Sequence, residues 1–128
     1  MDTAARRILI VDDDPPLRKV MTTYLSRLGY EVVSCDSAEE AWALVQAEPS
    51  GYSLAVVDLN MPGMRGEELA ERVLDSNEAI HLIVASGYPE ELSGVQALDE
   101  KRVAFLHKPF TPDELAEAVS TRVGRTAG

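Results

Sequence analysis

Five short apolar runs recur along the chain at nearly equal intervals, and this spacing limits the possible folds more than any other feature. The runs begin at residues 8, 31, 54, 80 and 103, so the intervals are 23, 23, 26 and 23 residues. Continuous aliphatic and β-branched runs are typical of strands buried on both faces of a parallel sheet. Each interval has room for one helix and two short loops. The pattern therefore predicts five consecutive strand–helix units.

The segments between the runs contain helix signals. Three of them begin with residues that cap or start a helix: Asp14–Pro15, Ser37 and Thr111. Another helix is predicted after Gly66. Apolar residues predict the packing face of the first helix: Leu17, Val20, Met21, Tyr24, Leu25 and Leu28. Gly29 is expected to end this helix. A fourth helix is predicted over 89–101, although Gly94 weakens the pattern there.

Five such units predict an α/β fold with a doubly wound, five-stranded parallel sheet and five helices. Right-handed crossovers place helices on both faces of the sheet. The common order for five strands is 2-1-3-4-5, and ligands bind beyond the carboxyl ends of the strands, where that order reverses. We expect a single domain over residues 1–128, with a core of about 7–123.

The composition argues against several classes of protein. The chain has 12 basic and 22 acidic residues and a formal net charge of −10. Because this charge repels phosphate backbones and anionic lipids, we expect no direct binding to nucleic acid or membrane. No apolar stretch approaches the ~20 residues of a spanning helix, and no secretory signal is evident. The single cysteine, Cys35, fits a reducing compartment, so we expect a soluble cytoplasmic domain.

Polar residues end four of the predicted strands, and the topology brings these ends to one edge of the sheet. They are Asp12–Asp13–Asp14, Asp58, Ser86 and Lys108. Two carboxylates ~4 Å apart repel by about 4 kcal/mol at an effective dielectric of about 20. The cluster of Asp12, Asp13 and Asp58 therefore needs a cation or shifted pKa values, whereas a helix cap explains Asp14. A set of oxygen ligands alone favours Mg²⁺.

The same residues indicate phosphoryl-group chemistry. Asp58 is a candidate carboxylate nucleophile of the kind that forms an aspartyl phosphate. Mg²⁺ and Lys108 would neutralise charge on the oxygens of the transferred group. Ser86 would donate a hydrogen bond to one of those oxygens.

The chain resembles the receiver domain of two-component response regulators over nearly its whole length, from about Arg7 to Val123, because it contains a series of motifs in the same order. The motifs are Ile8-Leu-Ile-Val-Asp-Asp-Asp-Pro15, Val56-Val-Asp-Leu-Asn-Met-Pro-Gly63, Gly66, Ala85-Ser86 and Phe105-Leu-His-Lys-Pro-Phe110. The resemblance implies a flavodoxin-like three-layer sandwich. Because members of this family have the order 2-1-3-4-5, that order is not an independent prediction. Ser86-Gly-Tyr-Pro89 is similar to stand-alone receivers and to receivers attached to hybrid histidine kinases.

The resemblance also implies a role for each site residue. Asp58 would be the phosphoacceptor and would ligate Mg²⁺ together with Asp13. Asp12 would act through a bound water, and Asn60 would contribute its backbone carbonyl. Lys108 corresponds to the lysine position of the family.

A conformational switch is implied as well. Ser86 corresponds to the hydroxyl position and Phe105 to the aromatic switch position. Gly87 would leave access to the phosphorylation site open, and Tyr88 would partly cover it. The peptide bond before Pro109 would be cis. The face formed by the fourth predicted helix, the fifth strand and the last helix would transmit the change.

By this resemblance, the chain would accept a phosphoryl group from a histidine kinase or a histidine phosphotransfer protein and would act on a downstream protein. It would catalyse only its own phosphorylation and dephosphorylation. The identities of the kinase and the target, and the question of whether the receiver stands alone, stay open at this point.

Two alternatives also stay open. A phosphatase of the haloacid dehalogenase type shares an apolar strand followed by Asp12-x-Asp14 and also uses Mg²⁺. Against it, Pro15 and Pro16 follow where threonine or valine is expected, and no later acidic pair completes the metal site. A pseudo-receiver would use the fold only as a protein-binding module that is independent of phosphorylation. The full set of functional residues argues against that alternative.

Overall fold

The computed structural model describes residues 7–48, 51–59, 66–76, 79–87 and 102–123 as alternating strands and helices. The strands are β1 (Arg7–Val11), β2 (Glu31–Cys35), β3 (Leu54–Asp58), β4 (His81–Ser86) and β5 (Val103–His107). The helices are α1 (Pro15–Arg27), α2 (Ala38–Ala47), α3 (Gly66–Ser76) and α4 (Pro112–Val123). The helix predicted over 89–101 lies outside the described residues.

The five strands form one parallel sheet in the order β2-β1-β3-β4-β5, which confirms the predicted arrangement. β1 pairs with β2 on one side and with β3 on the other. The strand order therefore reverses at β1, and the carboxyl ends of β1 and β3 lie side by side at this point.

Alternate residues of the central strands contribute to two separate hydrophobic clusters. On β1, Leu9 and Val11 pack into a cluster with residues of α2 and α3. Ile8 and Ile10 pack into a second cluster with residues of α1 and α4. This alternation follows from the two-residue repeat of a strand. The sheet therefore lies between two helical layers, as the sequence predicts.

Capping contacts fix the helix ends close to the predicted positions. The side chains of Asp14 and Ser37 each accept a hydrogen bond from a first-turn backbone N–H, at 3.3 and 3.1 Å. Thr111 and Glu114 exchange side-chain-to-backbone hydrogen bonds of 2.8 and 3.1 Å. Gly29 follows α1 with a φ of 101°. None of the helices in this described part is long and apolar enough to cross a membrane.

The predicted packing face of α1 is partly wrong. Met21 and Leu25 are buried, but Val20 is 49% exposed and Leu28 is 41% exposed. Val20 lies about 100° around the helix from Met21, which turns it away from the sheet. Leu28 is the C-cap residue and lies beyond the last turn of the helix. The apolar stripe that contacts the core is therefore narrower than the sequence pattern indicates.

Candidate functional site

The carboxyl edge of the sheet brings together three aspartates from neighbouring strands. Asp12 and Asp13 follow β1, and Asp58 is the last residue of β3. One oxygen from each carboxylate lies within 4.8 Å of the other two. Asp12 and Asp58 are each 2% exposed, whereas Asp13 is exposed. The structure thus places the three acidic side chains together, as the topology predicts.

Lys108 supplies positive charge to this cluster. Its Nζ lies 3.1 Å from Oδ2 of Asp58 and 3.5 Å from Oδ2 of Asp12. Burial by itself would lower the pKa of Lys108, but the charges of Asp58 and Asp12 outweigh this effect and raise the pKa. The backbone N–H of Lys108 donates to the carbonyl of Ser86 at 2.9 Å, and the Lys108–Pro109 peptide bond is cis. The ammonium is therefore charged and held beside both buried carboxylates.

Asp12 is fixed at both carboxylate oxygens, yet its charge is not fully balanced. Oδ1 accepts a hydrogen bond from the backbone N–H of Asp14 at 2.9 Å, and Oδ2 faces Lys108. Burial is the main cause that raises the pKa of Asp12, and the charge of Asp58 adds to it. The hydrogen bond from Asp14 and the charge of Lys108 only partly oppose this shift. Since three carboxylates meet a single ammonium here, a divalent cation could compensate the remaining negative charge.

The chemistry of the donor atoms limits which ion the cluster could hold. Asp12, Asp13 and Asp58 offer carboxylate oxygens only. Hard divalent cations such as Mg²⁺ prefer oxygen ligands, whereas zinc sites usually include nitrogen or sulfur. The three aspartates therefore fit an oxygen-ligated cation.

Ser86 and Phe105 lie on the same face of the sheet. Ser86 ends β4 and is fully buried. Val84 pairs with Phe105 in the register of β4 and β5, and Ser86 is two residues further along β4. Because strand side chains alternate between faces, Ser86 shares the face of Val84 and Phe105. Phe105 is half-buried and packs against the cluster that contains Val84.

Gly87 follows Ser86 at the edge of the sheet. A Cβ atom added to Gly87 would meet no atom of the described residues within 4 Å, so these residues leave space open beside this position. Asn60, predicted to be a metal ligand through its carbonyl, and Tyr88, predicted to affect access, both lie outside the described residues.

Arg18, at the same edge, has no predicted role in the sequence motifs. Its Nη1 donates a hydrogen bond of 2.8 Å to the backbone carbonyl of Asp12. Arg18 lies in the first turn of α1, which Asp14 caps. The sequence signal is a basic residue four positions after a helix cap, close to an acidic cluster. That signal alone does not show which group the guanidinium contacts.

The sequence identifies the family to which this site belongs. The family model of the response regulator receiver domain matches residues 8–120. The chain belongs to the response regulator receiver domain family. The receiver is 34% identical over 116 residues to the C4-dicarboxylate transport transcriptional regulatory protein DctD of Rhizobium meliloti. It is 32% identical over 126 residues to the DNA-binding response regulator MtrA of Mycolicibacterium smegmatis. These matches cover 91% and 98% of this chain, but only 25% and 54% of the two relatives.

Solved structures of receivers have the same fold. A CheY-like response regulator receiver domain protein from Methanospirillum hungatei superposes with a TM-score of 0.83 at 31% identity, over 92% of this chain and 93% of that one. The response regulator TrrA from Thermotoga maritima, in complex with Mg²⁺ and BeF, gives a TM-score of 0.78 at 30% identity. That match covers 91% of this chain and 97% of TrrA. The flavodoxin-like fold is therefore confirmed.

Family membership decides between the functions that the sequence left open. The chain is a receiver domain of two-component response regulators, and its pocket of Asp12, Asp13 and Asp58 fits the phosphoacceptor site of that family. Phosphorylation and Mg²⁺ are typical of receivers. The haloacid dehalogenase alternative depends on Asp12 and Asp14 acting as a pair, but Asp14 caps α1. Neither that phosphatase nor the pseudo-receiver is favoured.

Proposed function

We propose that this receiver accepts a phosphoryl group on Asp58 from the phosphohistidine of a histidine kinase or of a histidine phosphotransfer protein. The observation that carries the proposal is the 3.1 Å contact between Lys108 and Asp58 inside a cluster of three carboxylates. In this arrangement a buried carboxylate lies next to a fixed cation at the edge of the sheet. A phosphoryl group on Asp58 would lie beside that cation.

The chain's own residues account for the chemistry of the transfer. A carboxylate oxygen of Asp58 forms a bond to phosphorus while the bond from phosphorus to the donor imidazole breaks and the imidazole takes up a proton. Catalysis of such a transfer is mainly positioning and charge stabilisation. Lys108 would bind one oxygen of the transferred group, and the hydroxyl of Ser86 would bind another.

Mg²⁺ is the cation we propose for the site. Asp13 and Asp58 would ligate it directly, Asp12 would act through a water, and Asn60 would contribute its backbone carbonyl. When bound, Mg²⁺ neutralises charge on the phosphoryl oxygens. The support comes from the oxygen-only donor set, from the raised pKa of Asp12, and from the Mg²⁺–BeF complex of the related TrrA.

Phosphorylation would act through a change in conformation. Ser86 would turn towards the phosphoryl group, and Phe105 would move inward behind it. The face that transmits this change would comprise the additional helix predicted over 89–101, β5 and α4. An open groove between β5 and α4, lined in part by Leu106, Glu117 and Arg122, is the described portion of that face.

The remaining parts of the proposal concern the whole protein. The chain would be a single receiver domain with a core of about 7–123, located in the cytoplasm, and would catalyse only its own phosphorylation and dephosphorylation. Its partners would be the phosphodonor protein and a downstream protein, without direct contact to nucleic acid or membrane. Access of water to the phosphoaspartate would depend on Gly87 and Tyr88.

Intact-mass measurement after incubation with acetyl phosphate and Mg²⁺ tests the proposal. Wild type is expected to gain one phosphoryl group, and Asp58→Asn to gain none. Asp75→Asn, which changes an exposed aspartate on α3, is the matched control and should be labelled like wild type. EDTA should abolish labelling. Equal labelling of wild type and Asp58→Asn would rule out Asp58 as the phosphoacceptor.

Beryllofluoride with Mg²⁺ tests the switch separately. The complex mimics a phosphoaspartate, so amide signals around Ser86 and Phe105 should shift in nuclear magnetic resonance spectra of the wild type. A protein that uses the fold only as a binding module would show no such shifts. Asp58→Asn should also show none.

A further inference from the structure

Of the three acidic side chains, that of Asp13 has the fewest contacts to hold it in place. Its carboxylate is exposed and makes no hydrogen bond or ion pair within the described ranges. In contrast, Asp58 contacts Lys108, and both carboxylate oxygens of Asp12 are engaged. The position of the Asp13 carboxylate therefore depends on how firmly its backbone is held.

Arg18 holds the backbone that precedes Asp13. The guanidinium donates its 2.8 Å hydrogen bond to the carbonyl oxygen of Asp12. That oxygen belongs to the peptide unit that joins Asp12 to Asp13, and a peptide unit is planar and rigid. A contact that fixes the oxygen therefore also fixes the plane from which Asp13 projects.

The backbone of Arg18, from which the guanidinium extends, is itself held by hydrogen bonds. The backbone N–H of Arg18 donates to the carbonyl of Asp14 at 2.9 Å, which forms the first hydrogen bond of α1. Asp14 in turn donates its N–H to Asp12 Oδ1 at 2.9 Å, and the N–H of Asp12 donates to the carbonyl of Cys35 at 3.2 Å. The loop from β1 to α1 is thus tied to the sheet and to the first helical turn, with Arg18 bridging the two.

We propose that Arg18 is a positioning residue for metal binding, which holds the Asp12–Asp13 peptide so that the Asp13 carboxylate faces Asp12 and Asp58. Arg18 acts through the backbone and is neither a ligand nor a catalytic residue. This inference rests on the proposed function, because it takes the acidic cluster as the Mg²⁺ site.

Charge and positioning predict opposite effects when Arg18 is removed. A guanidinium repels a nearby divalent cation, so a residue that acted through its charge alone would weaken Mg²⁺ binding, and a neutral variant would bind more tightly. If Arg18 instead holds the Asp12–Asp13 peptide, it strengthens Mg²⁺ binding. Without it, part of the free energy of Mg²⁺ binding is lost in ordering Asp13. Outer-shell partners of metal ligands typically contribute about 10–100-fold in affinity. We expect a loss of about tenfold for Arg18→Met.

Isothermal titration calorimetry with Mg²⁺ alone, on the full chain, measures this effect. Arg18→Lys keeps the charge but has a shorter reach and one donor group, so its affinity should lie between those of wild type and Arg18→Met. Lys19→Met removes an exposed positive charge from the next position of α1 and is the matched control. It should bind Mg²⁺ with at least wild-type affinity.

Two further measurements exclude a general loss of structure. Thermal unfolding in EDTA should show that the variants fold, and the amide signal of Asp13 should broaden in Arg18→Met and recover in Arg18→Lys. If Arg18→Met does not fold, Arg18→Lys decides alone, because the proposal requires it to bind Mg²⁺ more weakly than Lys19→Met. Equal or tighter binding by the Arg18 variants would overturn the proposal. A wild type that does not bind Mg²⁺ would instead overturn the proposed function.

Discussion

Replacement of Lys108 by methionine tests how much the Lys108 ammonium stabilises the buried carboxylates of the metal-free protein. The ammonium lies 3.1 Å from an oxygen of Asp58 and 3.5 Å from an oxygen of Asp12. At an effective dielectric of about 20, each pair attracts by about 5 kcal/mol. Both carboxylates are almost fully buried, so Lys108→Met leaves two negative charges at the sheet edge without their ammonium partner.

The net effect is smaller than this gross attraction because burial of the ammonium costs free energy. The raised pKa of Lys108 nevertheless means that the folded state favours its charged form. Removing one partner of a buried pair typically costs about 3–5 kcal/mol, but the Lys108 side chain is 23% exposed. We therefore expect Lys108→Met to lower the free energy of unfolding by about 2–3 kcal/mol at neutral pH. This stabilisation is present below the unfolded lysine pKa and is lost as the pH rises through the raised folded value.

Urea unfolding, followed by circular dichroism in EDTA and again in Mg²⁺, measures the difference. Mg²⁺ should stabilise Lys108→Met more than wild type, because the divalent cation no longer competes with the ammonium for the same carboxylates. Lys19→Met, which replaces an exposed lysine on α1, controls for the change in net charge. The reasoning is refuted if Lys108→Met is as stable as wild type in EDTA, or if it gains no more from Mg²⁺ than wild type does.

Two smaller predictions concern the scaffold. Gly29→Ala should lower the free energy of unfolding by about 1 kcal/mol, because a φ of 101° is costly for a residue with a Cβ. Gly87→Ala, whose Cβ would meet open space, is the control, and equal losses in both variants would contradict the argument. Cys35 should resist iodoacetamide in the native protein at about pH 8.5, because burial raises the pKa of its thiol to about 12. Alkylation before unfolding, detected by intact mass, would contradict this.

The sheet could be predicted because its central strands are buried on both faces. Every residue of β3 is buried, and only the first residue of β1 and of β4 is partly exposed. A strand in such a position needs a continuous apolar run, which the sequence shows directly. β2 and β5 each have one neighbour, and four of the five residues in each strand are at least partly exposed. Their position at the edges therefore follows from the topology, and the composition of the runs alone does not reveal it.

Position along a helix is a weaker guide to burial than position in a central strand. Val20 and Leu28 are apolar and close to the stripe of α1, but both are largely exposed. Apolar residues are common on protein surfaces, so an apolar side chain at the margin of a stripe does not have to be buried. The buried residues Met21 and Leu25 are the ones that lie directly over the sheet.

The site could be predicted for those residues whose position follows from the ends of strands. Asp12, Asp58 and Lys108 meet because the carboxyl ends of parallel strands share one edge. Arg18 could not be predicted in the same way, because its contact depends on the path of a long side chain back to a backbone carbonyl. Every residue offers such a carbonyl, so this kind of contact leaves no pattern in the sequence.

The strand register gives a physical reason why phosphorylation of Asp58 would need Ser86 to move. Asp58 pairs with Ala85, so the next residue of β4, Ser86, has its side chain on the opposite face of the sheet. That face is shared with Phe105, and Ser86 is fully buried there. To reach a phosphoryl group on Asp58, the hydroxyl would have to turn over the edge of the sheet. This movement would vacate space on the face of the sheet that carries Phe105. Phe105 is half-buried and could move into that space. The proposed chemistry and the proposed switch are therefore coupled by the alternation of side chains along β4.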